Sequence, residues 1–235
     1  MVGSSIARDA DDVLYTWAGP EIAVATTKAY STQLVLLNML GLYFADVLGT
    51  VPASEYEAAV DALLTLPDKM QTVLSRTEKI KYLASRYYNR EHIFFIGRNL
   101  DYALGLEGSL KLKEISYIFS EAYASGELKH GTISLIENGT LVVALSTYGP
   151  LFEKAMSNVV EVKSRGADVL AVTTDSRATE MAKTAKNVLS VPDTHPILQP
   201  SLGVLPLQLF AYYMALYRGC DIDKPRNLAK SVTVE

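Results

Sequence analysis

Runs of consecutive apolar residues alternate with helical patterns in the second half of the chain. The apolar runs occupy residues 92–96 (HIFFI), 140–145 (TLVVAL), 168–173 (DVLAVT) and 187–191 (NVLSV). Helices are predicted at about residues 102–119, 151–165, 177–184 and 202–218, with a short segment at 121–126 and a short helix at 129–135. Strands in which nearly every residue is apolar, separated from one another by helices, are typical of a parallel sheet covered on both faces. The pattern therefore predicts an α/β fold, a three-layer sandwich with a parallel sheet flanked by helices.

The region before residue 91 has a different pattern. Residues 12–17 (DVLYTW) predict a short strand, and helices are predicted at about residues 22–48, 54–66 and 68–88, the last with an interruption near Arg76. A lone strand has no sheet to join, so this region is predicted to be the tail of a preceding domain. The apolar stretches at residues 34–47 and 202–216 are interrupted by polar residues, which predicts buried helices rather than membrane spans.

The composition narrows the classes of function. The 235 residues carry a formal net charge of −4 and no block of lysine and arginine, which argues against a nucleic-acid partner. The single cysteine, Cys220, excludes an internal disulfide, and three scattered histidines argue against a structural metal site. The start of the chain shows no apolar signal segment, so a cytoplasmic protein without a membrane partner is predicted.

The last thirteen residues, 223–235 (DKPRNLAKSVTVE), carry a lysine inside an apolar stretch. Leu228 and Ala229 precede Lys230, and two valines follow it. A lysine in a dry environment loses its proton more easily and becomes a nucleophile toward a carbonyl. The spacing alone leaves open whether Lys230 is such a nucleophile or a solvated lysine on a docked tail.

A second candidate group lies on the helix after the first apolar strand. Glu107, Lys111 and Glu114 are spaced i, i+4, i+7 and therefore share one helix face. A solvated, salt-bridged face would show the same spacing. However, residues 115–119 carry no charge, which predicts a mostly buried helix and favours a functional site.

The three histidines have different sequence contexts. His130 lies in residues 126–131 (GELKHG), in a loop or at a helix start, where a histidine can move protons near neutral pH. His92 begins a strand and His195 precedes a proline, so both are predicted to be structural. Lysine, carboxylate and histidine together suit carbonyl chemistry on a sugar, since they can form an imine, move a neighbouring proton and open the ring. The spacing along the sequence cannot show that the lysine, the carboxylate and the histidine lie close together in the fold.

The chain contains three long ordered blocks: residues 107–117 (EGSLKLKEISY), 121–131 (EAYASGELKHG) and 221–235 (DIDKPRNLAKSVTVE). Together with residues 2–8 and 21–34, these blocks resemble the glucosamine-6-phosphate synthase family, the isomerizing glutamine–fructose-6-phosphate aminotransferases. The isomerase half of that family has two sugar-isomerase (SIS) domains. The resemblance implies an SIS-type sandwich, divided as follows: residues 1–50 end the first SIS domain, 51–90 form a helical connector, 91–218 form the second SIS domain and 219–235 form an active-site tail.

The resemblance also implies roles for individual residues in hexosamine biosynthesis. Lys230 is the Schiff-base lysine for open-chain fructose 6-phosphate, and Glu114 shuttles a proton between C1 and C2. His130 opens the sugar ring and comes from the partner subunit of a homodimer. Lys111 assists proton transfer.

Further implications concern the substrate contacts and cofactors. Main-chain groups at Val24 and Ala229 are expected to touch the sugar. The family needs no metal and no pyridoxal phosphate, so the resemblance implies no cofactor.

The chain also departs from the family pattern. The family's glutaminase domain begins with a catalytic cysteine, whereas this sequence begins with Met1 and Val2, and residues of a Ser/Thr-rich phosphate loop are expected before residue 1. The loop at residues 146–150 is poorer in hydroxyls and is expected to be a structural turn rather than a phosphate site. An expression fragment or truncated gene product is therefore expected, inactive by itself and with apolar surface at residues 22–50 that self-associates. A non-catalytic SIS module that binds a sugar phosphate or a protein partner is the alternative.

Overall fold

A computed structural model describes residues 2–231 of the chain. Its strands are β1 (His92–Gly97), β2 (Phe119–Ala124), β3 (Leu141–Ser146), β4 (Asp168–Thr174) and β5 (Asn187–Val191). All strand pairs are parallel, in the order β2-β1-β3-β4-β5. The predicted α/β fold with a parallel sheet is confirmed.

Helices cover the sheet and form most of the chain before it. They are α1 (Ser5–Asp9), α2 (Lys28–Leu48), α3 (Ala53–Leu64), α4 (Leu66–Ser75), α5 (Thr77–Tyr87), α6 (Leu100–Ser116), α7 (Phe152–Ser164), α8 (Ala178–Met181) and α9 (Gln199–Tyr217). Short 3-10 helices occupy Ser125–His130, Thr132–Leu135, Gly149–Leu151 and Asp175–Arg177. The helix predicted over residues 68–88 is divided at Arg76 into α4 and α5, as its predicted interruption indicated.

The two faces of the sheet bury separate hydrophobic clusters. Ile93 and Phe95 of β1 pack into a cluster with α5, α6 and α9, whereas Phe94 and Ile96 pack into another with α7 and α8. Successive side chains of a strand point to opposite faces, so an apolar run fills both clusters at once. This confirms the three layers of the predicted sandwich.

Two glycines allow α6 and α9 to pack closely. A Cβ atom at Gly108 would lie 2.7 Å from the Leu207 side chain, and one at Gly203 would lie 2.7 Å from Leu104. Both distances are too short for real carbon atoms. The close packing holds α6, which carries the candidate residues, firmly against the body of the domain.

One predicted boundary after β1 is wrong. The helix predicted to reach residue 119 ends at Ser116, and β2 begins at Phe119. Tyr117 adopts a left-handed conformation with φ of 61°, which ends the helix in the way that glycine usually does. The prediction missed this end because no glycine or proline marks it.

The strand predicted over residues 12–17 is also wrong. These residues form no strand in the described chain, Trp17 has φ of 52°, and its side chain is 90 % exposed. Their β-branched and aromatic side chains favour strands only where neighbouring strands are present to pack against. Residues 2–231 supply no such neighbour to this segment.

Helix α2 is apolar but not buried. It contacts α3 and α9, which cover too little of it to bury any of its residues within the described chain. The prediction that residues 34–47 are buried is therefore wrong, whereas α9 is buried as predicted. The apolar surface expected in residues 22–50 is confirmed by exposed Leu37, Tyr43, Phe44 and Val47; its self-association stays a prediction. By length and composition alone α2 could also cross a membrane, a property shared by core helices of globular proteins.

Candidate functional site

A buried ion-pair cluster lies on α6. The side chain of Lys111 is 4 % exposed, and its Nζ lies 2.5 Å from Oε2 of Glu114 and 3.7 Å from Oε1 of Glu107. The i, i+4, i+7 spacing therefore places all three side chains on one face, as predicted. The cluster is largely buried, so the alternative of a solvated, salt-bridged face does not apply.

Burial and neighbouring charges raise the pKa of two groups in and beside this cluster. Burial raises the pKa of Glu107, and the nearby charge of Glu114 raises it further against the opposing effect of Lys111. Burial and the charge of Glu107 also raise the pKa of Tyr30, so this tyrosine of α2 lies close to the cluster. Burial therefore makes the Glu107 carboxyl easier to protonate than an exposed glutamate, since its pKa is raised.

The tail lysine lies against the segment that precedes α2. Its Nζ donates hydrogen bonds to Oε2 of Glu21 at 3.0 Å and to the carbonyl oxygen of Ala23 at 2.8 Å. The side chain of Lys230 is 44 % exposed, so the dry surrounding considered from the sequence is wrong for the described chain. Its neighbours Leu228 and Ala229 are exposed and do not cover it, and Val232 and Val234 lie outside the described residues.

Glu21 was not identified from the sequence. Its Oε1 accepts hydrogen bonds from the backbone amides of Thr27 at 2.9 Å and Lys28 at 3.0 Å, at the start of α2. Burial raises the pKa of Glu21, but the hydrogen bonds from Thr27 and the charge of Lys230 outweigh it, and the pKa lies below its usual value. An acidic residue shortly before a helix start is the only sequence signal, and it is common at surfaces.

The tail is fixed to two parts of the molecule. The amide of Val24 donates to the carbonyl of Asp223 at 2.9 Å. The amide of Arg226 donates to the hydroxyl of Tyr117 at 2.8 Å, and its guanidinium lies 4.1 Å from the Tyr117 ring. Tyr117 follows Glu114 by three residues, so the tail docks one helical turn from the buried cluster.

The structure does not bring His130 to the other candidates within the described chain. It ends a 3-10 helix, its side chain is 76 % exposed, and its Nε2 lies 3.8 Å from Oε2 of Glu127. Ala229 is exposed, and the amide of Val24 is used by the tail. The structure thus unites Lys111 with Glu114 and leaves His130 on the surface.

The loop after β3 is occupied by an internal carboxylate. Asp101, which is 2 % exposed, accepts hydrogen bonds from the amides of Thr147 and Tyr148, each at 3.0 Å, and from the Thr147 hydroxyl at 2.6 Å. Burial raises the pKa of Asp101, and these bonds offset part of the rise. The amides that a phosphate would need are already used, which supports the structural turn. The nearby guanidinium of Arg98 donates to Asn158 at 2.9 Å.

Cavities and metal ligands add little to this site. An apolar cleft of about 800 Å³ lies between residues 13–17 and α2, and its lining includes Thr27 but not Lys111, Glu114 or Lys230. Among residues 2–231, no group of three or more His, Cys, Asp or Glu side chains is placed to hold a metal ion.

The chain is similar to a known domain family and to curated proteins. A family model for the SIS domain matches residues 86–218. Over 235 residues, the chain is 55 % identical to the glutamine–fructose-6-phosphate aminotransferase (isomerizing) of Clostridium tetani. It is 50 % identical over the same length to the protein of that name from Methanosarcina acetivorans. The chain spans 38 % of the length of each of these relatives.

Solved structures show the same fold. The C-terminal domain of glucosamine-fructose-6-phosphate aminotransferase from Francisella tularensis superimposes with a TM-score of 0.91 at 34 % identity, over 96 % of this chain and 64 % of that one. Glucosamine-6-phosphate deaminase from Thermotoga maritima has a TM-score of 0.67 at 26 % identity, over 98 % of this chain and 64 % of that one.

Proposed function

The chain belongs to the SIS domain family, and from this premise we propose that it carries sugar-isomerising residues of a glutamine–fructose-6-phosphate aminotransferase. The overall reaction would convert fructose 6-phosphate and glutamine into glucosamine 6-phosphate and glutamate. The match of the whole chain to relatives of that name supports the proposal. The boundaries at residues 1–50, 51–90, 91–218 and 219–235 are part of the same proposal.

The buried pair of Lys111 and Glu114 is the observation that carries this function. A carboxylate that moves a proton between C1 and C2 of a sugar must be held in place and kept away from bulk water. The 2.5 Å contact with Lys111 holds Glu114 in place, and the Glu114 side chain is 23 % exposed, which shields most of it from water. Glu114 is therefore the proposed proton carrier, and Lys111 holds it and assists the transfer.

The tail supplies Lys230, the amine that forms the proposed imine. Lys230 is the only candidate amine that is both exposed and fixed by neighbouring groups in the described chain. Its attack on the C2 carbonyl of open-chain fructose 6-phosphate would form a Schiff base. Backbone groups of Val24 and Ala229, on either side of this contact, are proposed to bind the sugar.

The exposed position of His130 suits a residue that acts across a subunit boundary. We propose that it opens the sugar ring in the site of the partner within a homodimer. Its exposure of 76 % leaves the imidazole free to reach such a site. A cytoplasmic location and no bound cofactor complete the proposal.

Reductive trapping tests the central step. The full-length protein is incubated with fructose 6-phosphate and borohydride, and the labelled residue is identified by mass spectrometry. We expect the sugar on Lys230. A protein that converts the sugar while Lys230 stays unlabelled contradicts the proposal.

A second variant separates imine formation from proton transfer. Glu114→Gln keeps the size of the side chain but cannot carry the proton, so we expect isomerisation to be lost while trapping at Lys230 persists. Isomerisation at the wild-type rate would exclude Glu114 as the proton carrier. Circular dichroism of the variant establishes that it is folded.

A further inference from the structure

A second carboxylate lies against the amine that forms the proposed imine. We propose that Glu21 is a further catalytic residue, which accepts a proton from the Lys230 ammonium and then pairs with the protonated imine. This inference rests on the proposed role of Lys230 in imine formation. It assigns chemistry to a residue that the sequence resemblance left without a role.

The geometry around Nζ of Lys230 fits this role. Oε2 of Glu21 lies 3.0 Å away, and the carbonyl oxygen of Ala23 accepts a second hydrogen bond at 2.8 Å. An ammonium has three hydrogens, so these two contacts leave one direction of the nitrogen for a substrate. The exposure of the lysine side chain makes that direction reachable.

Glu21 is itself held rigidly. Its side chain is 9 % exposed, and its Oε1 is fixed by the backbone amides of Thr27 and Lys28 and by the Thr27 hydroxyl at 3.3 Å. The positive end of α2 favours a carboxylate at this position. The pKa of Glu21 is below its usual value although burial raises it, so the group is ionised when substrate arrives.

The two carboxylates of the α6 cluster are already paired with another lysine. Glu114 contacts the buried Lys111 at 2.5 Å, and Glu107 contacts the same lysine at 3.7 Å. Lys230 instead contacts Glu21. The two lysines therefore have separate carboxylate partners, which separates proton transfer at carbon from proton transfer at nitrogen.

The proposed step balances without any further reagent. Glu21 takes one proton from the Lys230 ammonium, and the lone pair of Nζ forms a bond to C2 of the ketose. A second amine proton passes to the former carbonyl oxygen, which becomes a hydroxyl. The proton on Glu21 then moves to that hydroxyl, the C–O bond breaks, and water leaves. The product is a protonated imine next to the Glu21 carboxylate, with the charge unchanged.

Glu21→Gln tests the inference in the full-length protein. The glutamine carbonyl still accepts hydrogen bonds from the amides of Thr27 and Lys28, so the start of α2 is retained while the charge is removed. Because one preorganised electrostatic group is lost, we expect the rate of borohydride trapping with fructose 6-phosphate to fall about 10²-fold. Glu57→Gln makes the same change at an exposed glutamate of α3, so it is the matched control and should trap at close to the wild-type rate.

Glu21→Ala distinguishes a chemical role of the carboxylate from a purely structural one. Added formate can occupy the space of the lost carboxylate and should restore trapping, whereas chloride at equal ionic strength should not. Trapping in the Gln variant at the wild-type rate or faster overturns the inference, and so does an Ala variant that formate does not rescue. In both cases labelling of wild-type Lys230 leaves the proposed function intact. An unlabelled wild-type Lys230 contradicts both.

Discussion

The buried pair on α6 and the lysine of the tail are held by different kinds of structure. Lys111 and Glu114 lie on a helix that packs against β1 and α9, with glycines at the closest approach. Lys230 follows the last helix and depends on single hydrogen bonds to the segment before α2, together with the contacts of Arg226 to Tyr117. One half of the site is fixed by packing, and the other by a small number of polar contacts.

This difference indicates how each half should respond to substitution. A change on α6 disturbs the cooperative core, so its effect should appear in global unfolding. A change in the tail should appear as local opening, because stability is not uniform across a fold. Three substitutions test the contrast, from the largest expected effect to the smallest, and a fourth at a partly exposed ion pair outside both regions has the smallest effect of all.

Lys111→Met should have the largest effect. It leaves the largely buried Glu107 and Glu114 without their cation, which should lower the free energy of unfolding by about 3–5 kcal/mol. Lys113→Met, on the exposed side of the same helix, is the control and should change it by about 0.5 kcal/mol or less. Urea denaturation measures both. Equal effects of the two variants would show that the α6 cluster is not a buried ion pair.

Asp101→Ala and Asp221→Ala remove the same kind of contact from the two regions, a carboxylate that accepts hydrogen bonds from backbone amides. In the body, Asp101→Ala removes the acceptor of the Thr147 and Tyr148 amides and should cost about 1–3 kcal/mol in unfolding free energy, because the amides stay buried. In the tail, Asp221 accepts from the amides of Asp223 and Lys224 at an exposed site. Asp221→Ala should therefore cost less, and a larger loss for Asp221→Ala would reverse the comparison.

Tyr117→Phe should loosen the tail without unfolding the body. It removes the hydrogen bond from the Arg226 amide but keeps the ring under the guanidinium, a loss of about 1 kcal/mol in local stability. Faster hydrogen exchange at the Arg226 amide, with an unchanged urea midpoint, is the expected result. The exposed Tyr212→Phe serves as the control. A shift of the midpoint without faster exchange would contradict local docking.

Asp175→Asn should have the smallest effect. The hydrogen bond and charge of Arg76 hold the pKa of Asp175 below its usual value of 3.8, so the pair stabilises the fold above that pH. The stabilisation is lost as the pH falls through the lower folded pKa. Both side chains are partly exposed, which limits the effect to about 0.5 kcal/mol. Urea denaturation of the wild type and the variant, repeated from neutral to acid pH, measures their difference in unfolding free energy. This difference should vanish in acid, and a difference that grows in acid would exclude the ion pair.

Four of the five strands, the edge strand β5 among them, could be predicted from the sequence. Residues 92–96, 140–145, 168–173 and 187–191 differ from the observed strands by at most one residue at either end. These strands are buried on both faces, so nearly every position must be apolar. The edge strand β2 was missed because its FSEAYA sequence is only partly buried and directly follows a helix.

The candidate site was only partly predictable. The common face of Lys111 and Glu114 follows from helical spacing, which is a local property. The contact of Lys230 with Glu21 joins residues 209 positions apart, and no periodicity connects them. The apolar pattern of the tail suggested a dry lysine, whereas polar contacts hold it.

The same contact closes almost the whole chain into a single loop. Closing so long a loop costs conformational entropy. Contacts between strands and helices that are close in sequence therefore form first. We expect the Val24 amide, which bonds to Asp223, to gain protection during refolding after the amides of β1 and β3. Simultaneous protection in pulsed hydrogen exchange would contradict this order. The amine of Lys230 would then be set in place at the end of folding, when the sheet and its helices are already formed.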